Sequence, residues 1–137
     1  MIELIEFLQG ELLLTGTLFA LIILLIVNIY SEKFKKYEVV DTNGAVTLMD
    51  DDLIILDVRE EKERSAGFID SNLNIPTGQV KSKLDSLDKS KKILVYCKSG
   101  TRSDRTADLL CKNEFQNVYS LKGGFNAWQK AELPIKK

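Results

Sequence analysis

Lys91-Lys92-Ile93-Leu94-Val95-Tyr96-Cys97-Lys98-Ser99-Gly100-Thr101-Arg102-Ser103 is the stretch that decides the fold. Its first half is a compact apolar run of the kind a strand shows when both faces of a parallel sheet are covered. Its second half is a short polar loop with one glycine, leading into a helical stretch from Ser103 to Asn113. Leu53-Ile54-Ile55-Leu56-Asp57-Val58 is a second apolar run, and Asn117-Val118-Tyr119-Ser120-Leu121 a third, shorter strand candidate. Helical patterns are expected over residues 42–49, 60–66, 77–87, 103–113 and 125–130, and Pro76 and Pro134 fall where elements should end. Short strands alternating with helices make residues 38–137 one α/β domain with an open parallel sheet flanked by helices.

Composition narrows the chemistry. The chain has 137 residues, 45% hydrophobic and 28% charged, with formal net charge −1. That length holds one compact domain, and a charge near zero supplies no field to gather nucleic acid. There is no histidine, which excludes serine-histidine and cysteine-histidine pairs and histidine zinc sites. Two cysteines, Cys97 and Cys111, are too few for a four-cysteine metal site or a multi-disulfide scaffold. Thiol, carboxylate, hydroxyl, amine and backbone groups remain.

Leu12 to Tyr30 runs nineteen residues without a charge, and at about 1.5 Å per residue such a helix reaches roughly the thickness of a bilayer core. A buried core helix would need more protein around it than the remaining chain provides. A cleavable signal would want a basic start, whereas Glu3, Glu6 and Glu11 make this start acidic, and no small-residue cleavage site follows. The expectation is an uncleaved single-pass anchor over residues 12–30, followed by a basic linker over residues 31–37. Lys33, Lys35 and Lys36 follow the span and no base precedes it, which places the N-terminus outside and the domain in the cytoplasm. Taking the −3 of residues 1–30 from the chain's −1 leaves +2 on the remainder. Gly16 and Ala20 have the four-residue spacing seen in close-packed membrane helix pairs.

The loop from Cys97 to Ser103, at the end of the strand that follows Lys91-Lys92, is where ligands bind in open parallel sheets. A thiol there faces unpaired amides and the positive end of a helix, with Lys98 and Arg102 adding charge. These stabilise a thiolate without a histidine. Gly100 lets the amides turn inward, and Ser103 or Asp104 is placed to cap the helix. The loop is an anion nest with a nucleophile at its base.

These segments resemble the single-domain rhodaneses, sulfurtransferases that carry sulfur as a cysteine persulfide. The resemblance covers residues 38–134 and rests on Leu56-Asp57-Val58-Arg59-Glu60, then Glu63, Ala66-Gly67, Ile69 and Asn74-Ile75-Pro76. It continues through the loop Cys97 to Ser103, Val118-Tyr119, and Leu121-x-Gly123-Gly124-x-x-Ala127-Trp128. Phe68, Arg64 and Glu114 depart from the family pattern, none of them in the loop. The spacing Cys97-x4-Arg102 is one residue shorter than the Cys-x5-Arg of cysteine phosphatases and arsenate reductases. A tighter loop fits a single terminal sulfur better than a tetrahedral oxyanion. The resemblance implies that Cys97 takes sulfur from a donor such as thiosulfate and passes it to cyanide or a thiol. Amides of Lys98, Ser99, Gly100, Thr101 and Arg102 would hold the anionic sulfur, with no cofactor or metal. A non-catalytic membrane-tethered adaptor is the alternative, and the anchor points to the bilayer and a membrane protein as partners.

Other residues have plainer readings. Asp57 and Arg59, at a neighbouring strand end, form an ion pair or cap that supports the site, as does Ser103. Glu60-Glu61-Lys62-Glu63-Arg64 reads as a solvated helix face. Gly123-Gly124 makes a turn that docks the last helix, with Trp128 as a core anchor and a contact to the active loop as a secondary reading. Cys111 lies about 12 Å along the helix from Ser103, too far for a disulfide with Cys97, and packs in the core.

Overall fold

The computed structural model describes residues 1–33, 36–50, 52–70 and 73–137. The chain divides into two compact units, Met1–Lys35 and Lys36–Lys137. The first is one helix, α1 (Ile2–Lys33). It is long and apolar enough to cross a membrane. The acidic start expected to precede the span is helical too, and the helix continues three residues beyond Tyr30. Of the expected linker, Phe34 and Lys35 lie outside the described residues.

The second unit is an α/β domain. Its elements are β1 (Glu38–Val40), α2 (Thr42–Leu48), β2 (Ile54–Asp57), α3 (Glu61–Arg64), β3 (Leu73–Asn74), β4 (Ile93–Tyr96), α4 (Thr101–Lys112), β5 (Val118–Leu121) and α5 (Gly124–Lys130). The five strands form one sheet in the order β1-β5-β4-β2-β3, with every pairing parallel. From β2 the chain builds outward to β3, and from β4 it builds the other way to β5. The strand order therefore reverses between β2 and β4, and Asp57 lies beside Tyr96 in register there. Ligands bind beyond the strand ends at such a switch point.

The pleat sends alternate β4 residues into two cores. Ile93, Val95 and Cys97 join Leu56, Val80, Ala107 and Leu110 on one side. Leu94 and Tyr96 join Ile55, Leu121, Phe125 and Trp128 on the other. Burial on both faces is why this strand reads as an unbroken apolar run.

The edges depart from expectation. β1 and β3 have three and two residues, too short for alternation to register. The helix expected over residues 77–87 is two 3-10 stretches, Thr77–Gln79 and Lys81–Ser86, whose three-residue repeat resembles the α spacing in so short a segment. The helix expected over residues 60–66 is a single turn. The expected cap of α4 is also corrected: Gly100 occupies the N-cap position in the left-handed region, at φ 106°, with no side-chain cap. Ser103 and Asp104 are inside the helix.

Candidate active site

Cys97 immediately follows β4 and is fully buried. The Gly100 amide donates to its Sγ at 3.0 Å and the Ser103 amide at 3.4 Å, with the Ser103 hydroxyl oxygen 3.6 Å away. The sulfur thus takes amides from the loop and the first turn of α4, groups that a helix leaves without internal acceptors. Burial pushes the Cys97 thiol up. The Ser103 amide and hydroxyl, with the amides of Gly100 and Ser99, outweigh burial and hold the thiol below its ordinary range. Of the five residues expected to line the site, Gly100 donates its amide to the sulfur, and the Ser99 amide adds a smaller pull on the thiol. Lys98, Ser99 and Thr101 are exposed.

The loop's outer side is held by α5. Phe125 N–H donates to the Cys97 carbonyl at 2.8 Å, and Asn126 N–H to the Lys98 carbonyl at 3.0 Å. With the Lys98 carbonyl drawn outward, the Ser99 amide of the same peptide unit turns to the sulfur's side. The approach requires glycine at position 124, where φ is +59° and an added Cβ would lie 2.4 Å from the Cys97 oxygen. Gly123-Gly124 was expected mainly to dock the last helix; its turn also sets the loop's geometry.

Arg102 does not stand free beside the sulfur. Its Nη1 and Nη2 each donate to one oxygen of Glu63 at 2.8 Å, a bidentate fork that matches guanidinium to carboxylate geometry. The Arg102 hydrogen bonds hold the Glu63 carboxyl down at about 2, and the same bonds raise the guanidinium. Glu63 also accepts from the Glu60 amide, closing a capping box on α3. The reading of residues 60–64 as a solvated face therefore fails at Glu63, and the cation expected at Arg102 is largely offset. The Glu60-x-x-Glu63 spacing signals the capping box, but nothing in the sequence signals the pairing across 39 residues.

Asp57 and Arg59 form a buried ion pair. Arg59 Nε donates to Oδ1 at 3.0 Å and Nη2 to Oδ2 at 2.8 Å. Nη2 also donates to the Gly67 carbonyl at 2.9 Å, and the guanidinium stacks 4.3 Å from the Phe125 ring centre. The Tyr96 hydroxyl donates to Asp57 Oδ2 at 2.8 Å. Burial, and next Asp57, push that phenol up, so it remains a donor. The pair joins the ends of β2 and β4 to α5 and fixes the residue preceding Cys97. It does not touch the sulfur.

Two clefts flank the loop. One, of about 400 Å³, is lined by Ser99, Gly100 and Thr101 with Asp104, Arg105 and Lys122. The other, of about 230 Å³, is lined by Lys98 with Glu63, Phe125 and Asn126. Cys97 and Cys111 are both free thiols, and Cys111 is half-buried against the first core. Among the described residues no group of three Cys, Asp and Glu side chains is placed to hold a metal ion.

The profile of the rhodanese-like domain family matches residues 42–131. The protein YqhL of Bacillus subtilis is 39% identical over 74 residues, covering 54% of this chain and 59% of that relative. The chain thus spans less than two thirds of that relative's length. Thiosulfate sulfurtransferase GlpE of Coxiella burnetii is 35% identical over 78 residues, covering 57% of this chain and 73% of that relative. A rhodanese-related protein of Thermoplasma volcanium has a similar structure, with a TM-score of 0.68 at 27% identity over 73% of this chain and 98% of that one.

Proposed function

The chain belongs to the rhodanese-like domain family, and from that membership we propose that it is a membrane-anchored sulfurtransferase carrying the transferred sulfur on Cys97. The observation that carries the reading is Sγ on the floor of a complete Cys-x4-Arg loop, 3.0 Å from an inward-facing amide. In the first step the Cys97 thiolate attacks the outer sulfur of the donor. A sulfur-sulfur bond forms to Cys97, the donor's own sulfur-sulfur bond breaks, and with thiosulfate the electron pair leaves on sulfite. Loop amides stabilise the persulfide's anionic terminal sulfur. Cyanide or a thiol then attacks that sulfur and restores the thiolate. The name of the Coxiella relative supports thiosulfate as the first donor to try. The exposed Lys98 attracts such an anion, and the Glu63–Arg102 pair limits how much charge the loop presents.

The reading is tested by thiocyanate formation from thiosulfate and cyanide, using the full-length chain in detergent micelles. Cys97→Ala abolishes transfer with the melting temperature retained, and Cys111→Ala leaves transfer nearly unchanged. The reverse ranking overturns the site. Absence of transfer from both thiosulfate and a small-molecule persulfide overturns the enzyme in favour of a tethered adaptor.

Residues 12–30 are proposed as the bilayer anchor, with the domain in the cytoplasm and a membrane protein as sulfur donor or acceptor. The uncharged length and the lysines after it support this.

A further inference from the structure

A line of hydroxyls runs from the sulfur to a carboxylate at the protein surface. Ser103 Oγ is 3.6 Å from Cys97 Sγ and 3.0 Å from Ser120 Oγ. Ser120 Oγ in turn is 2.6 Å from Asp104 Oδ1. Both serines are fully buried, whereas Asp104 lines the 400 Å³ cleft with Arg105 and Lys122. Ser120 has one hydrogen and two neighbours. The shorter, charge-assisted contact takes it, so Ser120 donates to Asp104 and turns a lone pair towards Ser103.

The Ser103 hydrogen then has three acceptors: the Gly100 carbonyl at 2.9 Å, Ser120 and the sulfur. While Cys97 keeps its hydrogen and the anionic carboxylate draws the serine hydrogens towards itself, Ser103 turns a lone pair to the sulfur and accepts the S–H; only once that proton has left does the hydroxyl donate to the thiolate and stabilise it. Cys97 is buried and the chain contains no histidine to take its proton.

We propose that Asp104 is a positioning residue that acts through Ser120 and Ser103 to set the hydrogen facing Cys97 and to give the thiol proton its route to solvent. The steps balance. The S–H bond breaks and its electron pair stays on sulfur. Ser103 takes that proton and hands its own to Ser120, which hands its own to Asp104, and the carboxylic acid releases it into the cleft. Each hydroxyl ends with one hydrogen, and the Ser103 hydrogen now points at the thiolate. Among the described residues, few charged groups face this line of hydroxyls. Arg102 acts on the sulfur, Arg105 and Lys122 share the cleft with Asp104, and Tyr37 senses both Asp104 and Asp108.

The inference rests on Cys97 being the sulfur-bearing thiol, and one set of proteins separates the two claims. Thiolate formation is followed by iodoacetamide alkylation of Cys97 against pH, in full-length chain carrying Cys111→Ser. Asp104→Asn, which weakens the pull at the far end, raises alkylation at pH 7 about threefold, the equivalent of roughly half a pKa unit. In a Ser120→Ala background the same substitution has no effect, because the line is cut. Ser120→Thr keeps the hydroxyl and restores the effect.

An equal effect of Asp104→Asn with and without Ser120 overturns the relay, because the carboxylate then acts through space. No effect in either background overturns it too. Should Ser120→Ala fail to fold, Ser103→Ala breaks the line one link nearer the sulfur and carries the same expectation. Sulfur loading, read by mass on the same proteins, is independent of the coupling. Loading without coupling overturns the relay alone, and coupling without loading overturns the sulfur-carrier reading alone.

Discussion

Glu63 changes what Arg102 can do. A free guanidinium would draw thiosulfate to the loop, but one gripped by two carboxylate oxygens at 2.8 Å presents little net charge. Glu63→Gln is therefore expected to raise kcat/KM for thiosulfate several-fold and Arg102→Ala to lower it, since the latter leaves a carboxylate facing an anionic donor. Steady-state kinetics with thiosulfate and with an uncharged persulfide donor check this, the uncharged donor responding little. The pair also has a pH signature. The Glu63 carboxyl is depressed from 4.5 to about 2, so its stabilisation is present in full above about pH 4.5. It is lost as pH falls towards 2. For a partly exposed pair the loss is small, about 1 kcal/mol, and thermal melts of Glu63→Gln across that window should lose that part of the acid dependence.

Among the elements, the β5–α5 turn matters to the loop more than its length suggests. Gly124→Ala puts a methyl group 2.4 Å from the Cys97 carbonyl at a positive φ, and should cost about 3 kcal/mol. Thermal melting reads this cost. Transfer should fall further than the lost stability explains, because the loop amides turn away from the sulfur. Breaking the buried Asp57–Arg59 pair with Arg59→Ala leaves a carboxylate unpaired between β2 and β4 and costs about 3–5 kcal/mol by denaturant unfolding.

The elements also divide by how far the sequence discloses them. β4, its loop and α4 are legible because Ile93 to Tyr96 is buried on both faces and Gly100 follows at once. β1 and β3 are not, because three and two residues at a sheet edge carry no period. Cys97 announces itself through its loop. Glu63, Asp104 and Ser120 do not, because each meets its partner only when the sheet brings distant segments together.

At the scale of the molecule, the chain joins an apolar helix to an α/β domain, and the proposed anchoring would give the two different solvents. The large apolar side chains of α1 are exposed along its length, a surface that water disfavours and lipid accepts. The full chain is expected in the membrane fraction after alkaline carbonate washing, and deletion of residues 1–30 should release the domain. Protease added outside intact cells should spare the domain, and trimming it would reverse the proposed topology. The domain's own organisation places Cys97 where the strand order reverses, between β2 and β4.

Intact mass of the full-length chain after incubation with thiosulfate, beside Cys97→Ala, shows whether the Cys97 sulfur carries the transferred atom. The expected result is a gain of one sulfur atom that cyanide removes and that the variant never acquires. A gain that persists in Cys97→Ala, or that cyanide leaves in place, would contradict it.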